Sequence, residues 1–192
     1  MDIHDELTPT ASGHVLIRDA NTGEIIINQR NAIHYGNLAR ITAQALSGQF
    51  SGSAFINWMA FGNGATAIDT SGRVIYKTPR VSETFESAAG LYSRTYEKSF
   101  EAEGATLDVI TGPSYTDIKI TVLLGFNEPT TQDIFDSANT LEGDFVFDEI
   151  GLFSKSSTID EAIMLTHVIF HPVQKSQNRE IEIVYTVRIQ LS

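Results

Sequence analysis

The chain has 192 residues, with 13 Lys and Arg against 24 Asp and Glu, a formal net charge of −11. Its length suits one domain that buries a core without a metal or disulfide staple. The absence of cysteine excludes disulfides, thiolate chemistry and cysteine-ligated zinc or iron–sulfur sites. The acidic balance argues against binding a nucleic-acid backbone, which needs a concentrated cationic face. No apolar run approaches the roughly 20 residues of a membrane span. Residues 1–10 carry Asp2, Asp5 and Glu6 and lack the apolar stretch of a secretory signal, so synthesis in the cytoplasm of the producing cell is expected.

Taken in chain order, most of the periodic signal has a period of two, which means strand. Residues 14–19 and 24–29 flank Ala20-Asn-Thr-Gly23 and predict a hairpin. A helix is expected over residues 31–47, with Asn31 as its cap, Leu38, Ile41 and Ala45 on one face and Gly48 at its end. Residues 56–61 read as a buried strand running into Gly62, Asn63 and Gly64, residue types that tolerate positive φ in a tight turn. Residues 62–89, rich in Thr, Ser and Gly, predict a long excursion loop with a short strand at Val74–Tyr76. A helical or strand segment over 90–100 follows. Strands are then expected over 117–124, 145–153, 164–170 and 180–190. In the last, Ile181, Ile183, Tyr185, Val187 and Ile189 share one face. The pattern predicts a mainly β fold: an antiparallel β-sandwich over residues 14–192 with one packed α-helix and a long excursion loop, preceded by a flexible arm over 1–13.

Candidate chemistry is sparse, and no enzymatic activity is expected. His167 and His171 have a metal-pair spacing for a helix. On a strand their rings lie about 13 Å apart, too far for one zinc ion. His4 with Asp2 and Asp5 sits on a solvated terminus. Asp148 and Glu149 are neighbouring carboxylates, but a regular strand points them to opposite faces and away from any one reaction centre. A glycosidase pair is accordingly not indicated. Nucleophile elbows and phosphate-cradling loops are missing. Lys175, Arg179 and Arg188 are the candidates for a small basic spot, but they read better as solvent-facing strand and turn positions. No cofactor or metal is expected. Trp58, Tyr76, Tyr92, Tyr96 and Tyr115 are the candidates for a carbohydrate-stacking platform, or else core and interface residues.

Four segments in order carry a resemblance to tailed-bacteriophage virion proteins. They are Gln29-Arg-Asn-Ala-Ile-His-Tyr-Gly-Asn37, then Met59-Ala-Phe-Gly-Asn-Gly64 followed by Leu91-Tyr-Ser-Arg-Thr-Tyr96, then Phe147-Asp-Glu-Ile-Gly-Leu-Phe153, and last Met164 to Lys175 before the closing strand. The order resembles the attachment domains at the start of tail-fibre and tail-collar proteins. In those domains a Gly-x-Gly turn, a Glu-Ile-Gly-Leu-Phe strand and a Lys-bearing turn recur. The resemblance implies a non-enzymatic structural component of the virion, homo-oligomeric and bound to other virion structural proteins, with no nucleic-acid or membrane partner. No shaft follows Ser192, so a tail, baseplate, neck or fibre-attachment protein is expected. A capsid-surface decoration protein is the alternative, and a carbohydrate-binding module a more distant one. The candidate fold and interface residues are Gly62, Asn63, Gly64, Asp148, Glu149, Gly151 and Lys175. Gly151 stands where another backbone is expected to approach closely.

Overall fold

The computed structural model describes residues 9–48, 55–81, 89–132, 134 and 143–191. Its strands form two antiparallel five-stranded sheets. The first contains β1 (Pro9–Asp19), β2 (Ile25–Arg30), β8 (Ala105–Thr111), β9 (Tyr115–Leu124) and β12 (Ile181–Leu191), in the order β2-β1-β12-β9-β8. The second contains β3 (Ala32–Ile33), β4 (Ile56–Gly62), β7 (Arg94–Ser99), β10 (Val146–Ser154) and β11 (Met164–Gln174), in the order β3-β11-β10-β4-β7. A small hairpin of β5 (Thr66–Ile68) and β6 (Val74–Tyr76) rises from the excursion. The helix is α1 (Tyr35–Ser47).

Alternation built the first sheet as expected. Ile181, Ile183, Tyr185 and Val187 of β12 turn inward beside Ile120, Val122 and Leu124 of β9 and Val15 and Ile17 of β1. They meet Phe61, Phe147, Ile150, Leu152, Val168 and Phe170 of the second sheet in one core, which is the sandwich. Burying a side chain of this size contributes about 1.5–3 kcal/mol, so the shared inner faces dominate the stability.

Several boundaries differ from the sequence reading. Residues 9–13 are not an arm, because they pair with β12 from Pro9 opposite Leu191 onward; residues 1–8, with His4, Asp2 and Asp5, lie outside the described residues. Asn31 does not cap the helix. His34 does, its Nδ1 accepting the Asn37 N–H at 3.1 Å, while the Asn31 amide donates to the Tyr185 hydroxyl at 2.8 Å. The helix buries Asn37 and Ile41 and half-buries Leu38, whereas Ala45 is exposed. Gly48 ends it in the left-handed conformation at φ 67. Strand β8 carries no clean alternation, and its register is set by pairing with β9.

The second sheet is covered on both faces. Opposite the sandwich core, Ala60, Phe153 and Met164 pack with Ala89, Leu91, Trp58 and Ile159. Every residue of β10 is therefore buried, including its two acids.

A sealed polar junction as candidate functional site

The excursion closes over the second sheet through two carboxylates. The β10–β11 register breaks between Phe147 and Glu149, where Asp148 alone lies opposite three residues of β11, and the regular pleat is lost there. Asp148 and Glu149 consequently do not diverge as a regular strand requires; both reach the same turn. Glu149 Oε1 accepts the N–H of Gly64 at 3.3 Å, and the Asp148 oxygens accept the next two, from Ala65 at 3.1 Å and Thr66 at 2.7 Å. The Thr66 hydroxyl adds a 2.6 Å bond to Asp148.

Glu149 also ties in the far arm of the excursion. It accepts the N–H of Ser93 and of Tyr92, each at 2.9 Å, and a bond from His167 Nε2 at 2.9 Å. The other ring nitrogen of His167, Nδ1, accepts the Arg80 N–H at 2.9 Å. Nδ1 thus carries a lone pair, and the proton sits on Nε2, facing the carboxylate. Tyr92 lies against the His167 ring at 5.9 Å, with Lys77 Nζ 4.5 Å from the Tyr92 centroid and the Tyr92 hydroxyl donating to the Thr78 carbonyl at 2.8 Å. Glu149 and His167 both have 0% exposure.

The electrostatics of the two acids differ although they are adjacent. Burial is the largest influence on Glu149 and pushes its pKa up, but the bonds from His167, Tyr92 and Ser93 together outweigh it and hold the carboxyl below its usual range. For Asp148 burial prevails over the bonds from Thr66 and Ala65, and the pKa is raised. Carboxylates that accept backbone N–H groups are an ordinary means of fixing a loop. A Glu–His pair also has the makings of an acid–base couple. Here both partners are sealed from solvent, and four donors use the two oxygens of the glutamate.

The glycines are needed for space. Neither Gly62 nor Gly64 has positive φ, contrary to the expectation for the turn. A Cβ on Gly62 would lie 2.5 Å from the Ser93 carbonyl oxygen, and one on Gly64 would lie 2.6 Å from Ser93 Cβ and 2.8 Å from its nitrogen. Asn63 donates from its backbone to the Ser93 carbonyl at 3.0 Å and from its side chain to the Gly143 carbonyl at 3.1 Å. The close approach expected at Gly151 comes from within the chain, since a Cβ there would stand 3.0 Å from the Thr166 carbonyl and 3.2 Å from Leu91. Six of the seven candidate residues therefore meet in or beside one junction.

Lys175 lies apart from that junction, and it is fully buried where a solvent-facing position was expected. Its ammonium donates to Gln132 Oε1 at 2.7 Å and to the Ser176 carbonyl at 2.9 Å. Burial pulls its pKa down to about 8, against the attraction of Glu128 and Glu180. Arg179 lies 3.6 Å from Asp19, and Arg188 makes two bonds to Asp117, at 2.7 and 2.8 Å, so the three cations do not form a basic patch. A second buried polar group escaped the sequence reading: Lys98 Nζ lies 2.6 Å from Glu128, which also accepts the Tyr96 hydroxyl.

The remaining candidates are dispersed. His171 is exposed and shares a 3.1 Å bond with Tyr76, away from buried His167. Among the described residues no group of three or more His, Asp or Glu side chains is placed to hold a metal. Of the aromatic residues, Trp58 packs under the excursion, Tyr96 lies against Phe61, Tyr115 lies under Arg188, and Tyr76 stands on the small hairpin. Apolar surface is instead left open on β8 and along a groove without charged lining between α1 and the ends of β1 and β12. Compared with known protein families, characterised proteins and solved structures, the chain matches none.

Proposed function

We propose that the chain is a non-enzymatic structural component of a tailed-phage particle: an oligomeric tail, baseplate, neck or fibre-attachment protein that contacts other virion proteins. One observation carries the reading. Three of the four segments that resemble virion attachment domains meet at the sealed junction of Gly62, Gly64, Tyr92, Ser93, Asp148, Glu149 and His167. Their polar groups are spent on one another's backbone, so the shared pattern preserves a shape. The exposed apolar groups of β8 and α1 supply surface for subunit contacts.

Particles banded from a lysate of the producing host test this. The chain should be present at a fixed ratio to the major capsid protein, and an antibody against it should label the tail or neck. Label on the head would favour capsid decoration. Absence from washed particles would overturn the reading.

A further inference from the structure

The first sheet ends at β8, and among the described residues no strand pairs with its outer edge. The bonds Leu123 N–H to Gly104 O (2.7 Å) and Gly112 N–H to Tyr115 O (2.8 Å) bracket the β8–β9 ladder. Antiparallel bonding alternates along a strand, so residues 106, 108 and 110 bond inward to β9. The N–H and C=O groups of Ala105, Leu107, Val109 and Thr111 point out. The side chains are equally bare: Leu107 is 41% exposed, Val109 65% and Ile110 47%. Such an edge is ordinarily blunted by charge or covered by another strand.

We propose that β8 joins two copies of this chain, β8 against β8 across a two-fold axis, so that their first sheets continue as one antiparallel sheet. The proposal deepens the oligomeric part of the reading above and rests on it. Charge favours a second copy here. On a chain of net charge −11, Asp108 is the one ionisable residue of β8, and it stands opposite Lys119; the next acid, Asp117, is held by Arg188. Two acidic copies that meet at this edge bring together from β8 only the two Asp108 carboxylates, each with Lys119 opposite it on β9. Strand direction favours β8 as its own partner. β2, the other edge of the sheet, runs parallel to β8, so repeating the sheet edge to edge would pair them in parallel.

The register follows from Asp108. A two-fold at Asp108 would set two carboxylates face to face in a close, non-hydrogen-bonded pair, which is unfavourable. A two-fold at Val109 sets Val109 against itself, Leu107 against Thr111 and Asp108 against Ile110, with all the outward N–H and C=O groups of residues 107, 109 and 111 paired.

Light scattering coupled to size exclusion should give the full chain twice its 21.1 kDa mass. Val109→Lys and Val109→Glu should each fall to the monomer mass with unchanged far-ultraviolet spectra and melting temperatures, because the side chain is mostly exposed. Mixing the two variants should restore the dimer, since the opposite charges then face each other. Wild type that stays at 21.1 kDa up to its solubility limit overturns the proposal, as does an oligomer that both variants leave intact. A monomer that is nevertheless found in particles sinks this surface and spares the virion reading. A Val109-dependent dimer absent from particles does the reverse.

Discussion

Replacing Glu149 by glutamine tests the junction with minimal change of volume. The carboxylate meets four donors, two on each oxygen: Gly64 and Ser93 on Oε1, Tyr92 and His167 on Oε2. The amide of Glu149→Gln must turn its NH2 toward one of these pairs, leaving two buried donors facing a donor. His167 offers no escape. If its proton moved to Nδ1, that nitrogen would confront the Arg80 N–H that it now accepts. Each unmet buried donor costs about 1–3 kcal/mol, so the substitution should cost about 4 kcal/mol. For a chain of this size that lowers the thermal midpoint by about 10 °C. Calorimetry or urea unfolding monitored by circular dichroism reads it. A midpoint within about 2 °C of wild type refutes the view that the carboxylate clamps the excursion. The pH dependence has a definite sign. The Glu149 pKa is held below its unfolded value, so its contribution is present above the unfolded pKa and is lost as pH falls through the folded one. Glu149→Gln should lack that acid-side loss.

Other outcomes are equally specific. Gly62→Ala and Gly64→Ala should each cost about 1–3 kcal/mol in urea unfolding through collision with Ser93; Gly90→Ala, with no atom of the described residues within 4 Å of the new Cβ, should stay within about 0.5 kcal/mol. The folded pKa of Lys175, about 8, lies below the ordinary lysine value of 10.5, so the folded state binds fewer protons between them and stability rises with pH across that window. The rise is at most about 3 kcal/mol, and the difference between wild type and Lys175→Met, followed by urea midpoints from pH 7 to 10, should show it. His34→Ala should cost about 1 kcal/mol by leaving the Asn37 N–H without its cap, measured by thermal unfolding.

The parts of this fold legible in the sequence are those where one rule acts alone. The alternation in β9 and β12 marked their buried faces, because each strand packs one face on the core. Strand β8 was not legible, since its apolar residues are largely uncovered and impose no pattern. The register break at Asp148 defeated the period-two argument for the neighbouring acids: β11 carries two more residues than β10 there, a mismatch that spacing within β10 does not reveal. His167 attracted notice for its spacing to His171, whereas its partner proved to be Glu149, 18 residues away and on the adjacent strand. At Gly62 and Gly64 the residue type was informative and the expected cause was wrong. What excludes a side chain there is the backbone of Ser93, from a segment that sequence spacing does not place.

The junction also has a consequence for the order of folding. The Gly64–Glu149 bond closes 85 residues of chain and the Tyr92–Glu149 bond 57, whereas β8 and β9 are joined by a short turn. Loop-closure entropy delays contacts of long sequence separation until other contacts hold their ends together. The β8–β9 hairpin is thus placed to form early and the clasp around Glu149 late. During the interval Asp148 lacks the N–H groups of Ala65 and Thr66, and Glu149 lacks those of Gly64, Tyr92 and Ser93. A chain arrested at that stage has its local hairpins paired while the two acids of β10 still face water.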